Sequence, residues 1–290
     1  MSSLQTPWSS TGAAQREVDD KPASRPTPRP DQRPDQRPLG REGANPGARP
    51  DPGLAVLVLA RLPARHVSWA VGRLIRGPSA WRAEPGLRFA RVLGSGRDGG
   101  FGLRPGLDHQ GLFLMFDDVA DALACVARSP RLAAYRERAD ECLVAVLQAS
   151  SARGRWAGQG MRAVVPSPGP GEPLVALTRA SIRAGQALRF WRHSPPSEAA
   201  LATAPGCRLA VGLGEAPVLR QATISFWDDT AAMNAYARSG AHQQAIEASY
   251  REGYFSEWMF VRFAPLLLQG RWGGRSFDLP RPEAAPARHG

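Results

Sequence analysis

Five histidines, His66, His109, His193, His242 and His289, are the side chains of this chain best suited to ligate a metal or to exchange a proton near neutral pH. His289 falls in a polar C-terminal tail and His109 in a polar loop. His242 stands apart, in GAHQQAIEASYREGYFSEW over 240–258. On a helix, His242, Ile246, Ser249 and Gly253 share one face, and the small Ala245 and Ser249 leave room beside the ring. Two readings stay open on the residues alone: a packed structural histidine, or a ligand to a metal or cofactor.

Other chemistry is thinly represented. Cys125, Cys142 and Cys207 are far apart and form no CxxC, which suits a reducing compartment and argues against a zinc or iron–sulfur site built on cysteine. No GxSxG or HExxH occurs. Gly94-Ser-Gly96-Arg-Asp-Gly99 matches GxGxxG, but GFGLRPG follows it and cannot open the helix that a dinucleotide pyrophosphate needs. A loop with special backbone angles accounts for it.

The elements that would position these residues come in two sets. PGLR (85–88) returns as PGCR (205–208), Gly94/Gly96 as Gly212/Gly214, and FDD (116–118) as WDD (227–229). YRE (135–137) returns as YRE (250–252), and RWAG (155–158) as RWGG (271–274). Each copy lies 111 to 120 residues beyond the first and in the same order, which predicts a duplicated unit. In the first unit LAVLVLAR (54–61) reads as a buried strand, followed by a helix near 67–74. LRFARVLGS (87–95) and GLFLMF (111–116) read as strands, FDD as the cap of a helix, and ECLVAVLQ (141–148) as the closing strand. The second unit repeats this through PLVALTR, AGQALRFW, CRLAVGLG, RQATISFW, helices over 230–238 and 242–252, and EWMFVRFAPLLL. The expected fold is α+β: tandem duplicated ferredoxin-like βαββαβ units forming a pseudo-dimeric α/β barrel, with an apolar cavity between sheet and helices. The expected boundaries are a disordered Pro/Arg-rich tail over 1–52, units over 53–160 and 161–275, and a flexible tail over 276–290. His242 aligns with Ala127 of the first unit, so the repeat itself does not require it.

The formal net charge is +11, and Lys21 is the sole lysine among 37 cationic residues. The arginines are scattered singly rather than in a stripe interleaved with aromatics, so nucleic acid is not an expected partner. No signal-peptide core and no apolar run of bilayer-spanning length is present. A cytoplasmic protein is expected.

LVALTRASIRAGQALRFWRHSP, SFWDDTAAMNAYARSGAHQQAI and YREGYFSEWMFVRF, with RVLGSG, YRERA and SARGRWAG in the first half, closely resemble the spheroidene monooxygenases, the acyclic carotenoid 2-ketolases of purple bacteria. The resemblance runs from Leu54 to Gly274; the stretch around His66–Arg76 matches least. It implies an oxygenase that places a keto group at C2 of spheroidene or hydroxyspheroidene, using O2 and a ferredoxin-type electron donor. Two hydroxylations at one carbon would give a gem-diol that loses water. It further implies haem, because side chains alone cannot activate O2 against an unactivated methylene. Under that reading His242 is the iron ligand, and Arg251 and Arg262 pair with propionates. Glu252 and Glu257 relay protons, and Arg179, Arg189, Trp191, Trp227 and Phe263 line the substrate channel. A lipid-dissolved substrate also implies peripheral contact with the inner membrane. Two rivals remain: a non-haem iron oxygenase using His193, His242 and a carboxylate such as Glu247, and a haem- or carotenoid-binding protein without turnover.

Overall fold

A computed structural model describes residues 49–96, 105–191, 200–201, 203–216, 219–238 and 253–279. The first half comprises β1 (Leu54–Arg61), α1 (Val67–Arg76), β2 (Leu87–Gly96), β3 (Pro105–Phe116), α2 (Val119–Arg128), α3 (Pro130–Arg138) and β4 (Glu141–Gly154). The second comprises β5 (Leu174–Ile182), a helical turn over 187–191, β6 (Cys207–Ala216), β7 (Arg220–Trp227), α4 (Thr230–Ala237), β8 (Phe255–Trp272) and β9 (Arg275–Leu279).

The first four strands lie in the order β4-β1-β3-β2 and the second four in the order β8-β5-β7-β6. The two sets join at β2–β6 and at β4–β8, closing an antiparallel eight-stranded barrel. The β2–β6 seam is short, Gly94 with Gly214 and Ser95 with Leu213, whereas β4 and β8 pair along most of β4. β9 adds to the overhanging end of β8.

Alternation along each strand separates two faces. Leu57 and Leu59 of β1, Phe113 of β3, Leu143 of β4, Leu177 of β5 and Phe263 of β8 fill the barrel. Val56, Val58, Leu112, Leu114, Val144 and Val146 point outward and are covered by Ala122, Cys125, Leu132 and Tyr135 of α2 and α3. β1 is apolar on both faces because both are buried, which is why LAVLVLA shows no alternation.

The repeated motifs occupy matching places. Arg88 pairs with Asp117, and Arg208 with Asp228. Asp118 caps α2 by accepting from the Ala120 amide, and Asp229 caps α4 by accepting from the Ala232 amide, 2.8 Å away. Along β4–β8, Leu143 faces Gly270 while Gly154 faces Met259. Gly154 (φ 77°) and Gly270 (φ 111°) are left-handed, and a Cβ on either would collide with backbone, the carbonyl of Trp258 or of Cys142.

The RW-x-G turns dock reciprocally. Glu257 of β8 accepts from the Gly158 amide at 3.1 Å. Glu141 of β4 accepts from the Gly273 and Gly274 amides at 2.9 and 2.8 Å. Each half therefore holds the closing turn of the other.

Three expectations change. The helix after FDD is two helices, because Pro130 cannot continue the ladder of α2 and instead starts α3. β4 and β8 run on to Gly154 and Trp272, since each extension pairs with the other half. The second unit does not end at 275: Gly273 and Gly274, both with positive φ, make a two-residue hairpin that carries the chain back as β9 to Leu279. The tail over 1–48 and the residues beyond 279 lie outside the described residues.

Candidate functional site

Aligning the halves by strand register exposes an asymmetry on their outer faces. Leu54 faces Phe116, as Leu174 faces Trp227. From that anchor Val56 corresponds to Ala176, Val58 to Thr178, Leu114 to Ser225 and Leu112 to Thr223. On the flanking strands Val92 corresponds to Gly212, and Val146 to Arg262. Phe260, at the place of Val144, runs the other way. Bulk is thus reduced at Ala176, Thr223, Ser225 and Gly212, whereas Thr178 keeps the size of Val58 and exchanges a methyl for a hydroxyl. Val58 is 0% exposed, whereas Thr178, at the matching mid-strand position, is exposed. At one end this face packs on α4 and Leu201 through Leu174, Ala176, Ala210 and Trp227; toward its middle the sheet's own side chains fill less of it than in the first half.

Arg262 stands on this outer face, half-buried, donating to Oδ1 of Asn234 in α4 at 3.2 Å. Burial, and then the nearby Arg153, pull its pKa below the ordinary arginine value. Among the described residues no carboxylate forms an ion pair with it. A flat apolar group bearing carboxylates fits this set: small side chains beneath it and a guanidinium for its acid. Trp227 shares the face but is 1% exposed, donates from Nε1 to Ser225 Oγ at 2.9 Å and packs on Tyr236. Trp191 and Arg189 belong to the helical turn over 187–191, where Trp191 is half-buried edge-on to Phe190 and Arg189 is exposed.

Arg179, Glu257 and Phe263 lie on the opposite side of the sheet. Arg179 has the inward parity of Val175 and Leu177 and is 3% exposed. It pairs with Glu257 and, at 3.3 Å, with Glu215 of β6; Glu215 also pairs with Arg91 of β2. The Arg179 guanidinium lies 5.5 Å from the centre of the Trp156 ring. Arg179 Nε and Trp156 Nε1 are buried and find no acceptor among the described residues. Phe263, fully buried, packs in the barrel interior against Phe113. The matching residue for Arg179 in β1 is Leu59, so the central guanidinium has no counterpart in the first half, although Arg91 and Trp156 of that half complete its cluster. Sequence reasoning passed over Arg91, Glu215 and Trp156. The available signal was the inward parity of Arg91 with Leu93 and of Glu215 with Leu213.

Burial alone would raise the pKa of Glu257, but the Ala157 and Gly158 amides and Arg179 outweigh it and hold the carboxyl below its ordinary value of 4.5. Glu141 is lowered in the same way, burial being outweighed by the Gly274 and Gly273 amides and by Arg61 and Arg271. A carboxylate with a lowered folded-state pKa stabilises the fold above its unfolded pKa and loses that contribution as pH falls through the folded value. The melting temperature is therefore expected to hold from neutrality to about pH 5 and to fall below it. In a Glu141→Gln/Glu257→Gln variant the neutral-pH melting temperature drops and the acid slope flattens. Thermal melts across that range decide it; equal slopes would remove the two carboxylates from the account.

At the other end of the barrel a cavity of about 140 Å³ is lined by Leu174, Phe226, Trp227, Leu268, Phe277 and Leu279. That volume matches a benzene-sized guest, far short of a long polyene. The three cysteines are free, and burial pushes the Cys125 and Cys142 thiols up to about 12 and about 11, so neither is a thiolate at neutral pH. Among the described residues no group of three His, Cys, Asp or Glu could hold a metal ion, and no helix is long and apolar enough to cross a membrane. His193, His242, Glu247, Arg251 and Glu252 lie outside the described residues.

No family model matches the chain. A spheroidene monooxygenase of Rubrivivax gelatinosus is 52% identical over 224 residues, covering 77% of this chain and 86% of the relative. Those of Rhodobacter capsulatus and Cereibacter sphaeroides are 36% and 30% identical, covering 71% and 76% of this chain and 87% and 71% of the relatives. A solved aldoxime dehydratase is similar at 10% identity and a TM-score of 0.48, over 73% of this chain and 80% of its own; that likeness carries no argument about chemistry. With identity of this extent spread over 71–87% of its relatives' lengths, the chain belongs to the spheroidene monooxygenase family and is an oxygenase.

Proposed function

We propose that the chain oxidises C2 of an acyclic carotenoid of the spheroidene type to a ketone, with O2 and electrons from a ferredoxin-type donor. We place the pigment and a haem on the outer face of the second half. The observation that carries this reading is the loss of bulk at Ala176, Thr223, Ser225 and Gly212, with a hydroxyl in place of a methyl at Thr178. We also take the two halves as descendants of one ferredoxin-like unit, on the support of their matched motifs and strand order.

When bound, haem supplies the activation of O2 that amino-acid side chains lack. The chain's own residues then have separable tasks. His242 would hold the iron, and Arg262 and Arg251 would pair with the carboxylates of the haem. The small side chains of the face would admit the polyene and shield the reacting carbon from water. Trp227 and Trp191 border that space. Glu257 is held ionised by two amides and Arg179, so proton delivery falls to Glu252, next to Arg251 in the sequence.

The test is expression in a bacterium that accumulates spheroidene, with pigments read by mass spectrometry and haem by its absorption spectrum. Wild type is expected to give a 2-keto product and a haem spectrum. His242→Ala is expected to lose both. A His242→Ala protein that keeps an unchanged haem spectrum removes the ligand assignment. Iron without a haem band supports the non-haem reading, and bound pigment without product supports a binding protein.

A further inference from the structure

We propose that the end of the second half formed by 182–191, 219–220 and 253–255 docks on an anionic lipid bilayer.

Three segments converge there. The Ile182 amide donates to the Leu219 carbonyl at 2.8 Å, and the Arg183 amide to the Tyr254 carbonyl at 2.9 Å. Arg183 Nε donates to the Phe255 carbonyl at 3.2 Å. From the helical turn over 187–191, Phe190 reaches back to the rings of Tyr254 and Phe255, at 6.3 and 5.9 Å between centres. This pins the turn and presents Leu188 outward at 73% exposure, with Leu219 exposed on the neighbouring segment. An aliphatic side chain so exposed beside a second one, on an aromatic base, has the composition of an interfacial anchor.

The charge agrees. Arg183, Arg189 and Arg220 are exposed around the two leucines. Among the described residues of 181–191, 219–221 and 253–256 none is acidic. A cationic rim around exposed aliphatics matches an anionic headgroup layer above acyl chains. α1 supplies a contrast: Ile75 is 80% exposed, but no second exposed large apolar residue lies on that helix among the described residues. The bilayer is also where a carotenoid is dissolved, so the surface would sit beside the face proposed to receive it. That last link rests on the ketolase reading; the docking itself does not.

Sedimentation of the full chain with phosphatidylcholine vesicles, with and without phosphatidylglycerol, reads docking without any turnover. Wild type is expected to bind the mixed vesicles at low salt and to be partly released at high salt. Arg183→Glu and Arg189→Glu each weaken binding by about fivefold or more. Leu188→Glu abolishes it, Ile75→Glu leaves it unchanged, and circular dichroism shows both variants folded. If Leu188→Glu binds like wild type, or Ile75→Glu loses as much, the proposal is overturned. Salt-sensitive binding indifferent to Leu188→Glu also overturns it, and would point the arginines toward an acidic protein instead. A protein that docks but makes no ketone leaves this surface standing and removes the ketolase reading alone.

Discussion

A chain carrying Ala176→Val, Thr178→Val and Thr223→Leu is expected to melt near the wild-type temperature and to make almost no ketone. The three residues introduced are those of the first half at the matching places, Val56, Val58 and Leu112. The first half shows that the strand geometry accepts them on an outward face. Thr178→Val exchanges a hydroxyl for a methyl of the same size on an exposed strand position, while Ala176→Val and Thr223→Leu add bulk. If haem and pigment lie on this face, each of the two enlargements costs about 1–3 kcal/mol of binding, and together they lower product by on the order of 100-fold, at about 1.4 kcal/mol per tenfold. Haem absorbance falls in parallel. The reverse exchanges in the first half, Val56→Ala and Val58→Thr, lower stability and leave the pigment chemistry to follow only the amount of folded protein. A filled variant with full haem and full product would move the site off this face.

Arg179→Leu is expected to cause the largest loss of stability of any single exchange considered. Leucine is what the first half has at the matching place, Leu59, so shape is not the obstacle. The obstacle is what the exchange leaves behind: Glu257 without its guanidinium, and Glu215 with Arg91 alone. Removing one partner of a buried pair costs about 3–5 kcal/mol, whereas replacing the whole group with neutral residues can cost little. Urea unfolding of Arg179→Leu at neutral pH should show a loss of that size. Arg179→Leu/Glu257→Gln should recover much of it, with Glu215 still held by Arg91. Acidification should narrow the gap between Arg179→Leu and wild type as Glu257 takes up its proton. A loss under 1 kcal/mol would mean that water already reaches the cluster.

The repeated motifs were the most legible part of the sequence because each performs a local task that needs particular residue types. An aspartate caps a helix, an arginine meets the preceding aspartate, and a glycine permits a close crossing; short words suffice for such tasks. Strand length was harder to read. ASSARGRW looks like the end of a strand because it lacks apolar alternation, yet it pairs with β8 from the other half, and pairing across halves leaves no trace in local periodicity. The barrel's charge cluster was half visible. Arg179 and Glu257 were singled out, but as residues of one site with Arg262. The parity of LVALTRASI already places Arg179 with Val175 and Leu177, and that of EWMFVRF places Glu257 with Met259 and Val261, so alternation alone separates them from Arg262. The emptiness of the outer face was not visible in either half alone. Ala176, Thr178 and Ser225 are unremarkable strand residues until Val56, Val58 and Leu114 are set beside them.

The exchange of closing turns has a consequence for synthesis on the ribosome. Glu141 emerges first, but the amides that satisfy it belong to Gly273 and Gly274, 132 and 133 residues later. β4 likewise waits for β8 to cover its free edge. The first half therefore leaves the exit tunnel with an unpaired strand and an unmet carboxylate, and holds them until β8 and its closing turn have followed. A nascent chain stalled before residue 255 is the species on which a chaperone would act.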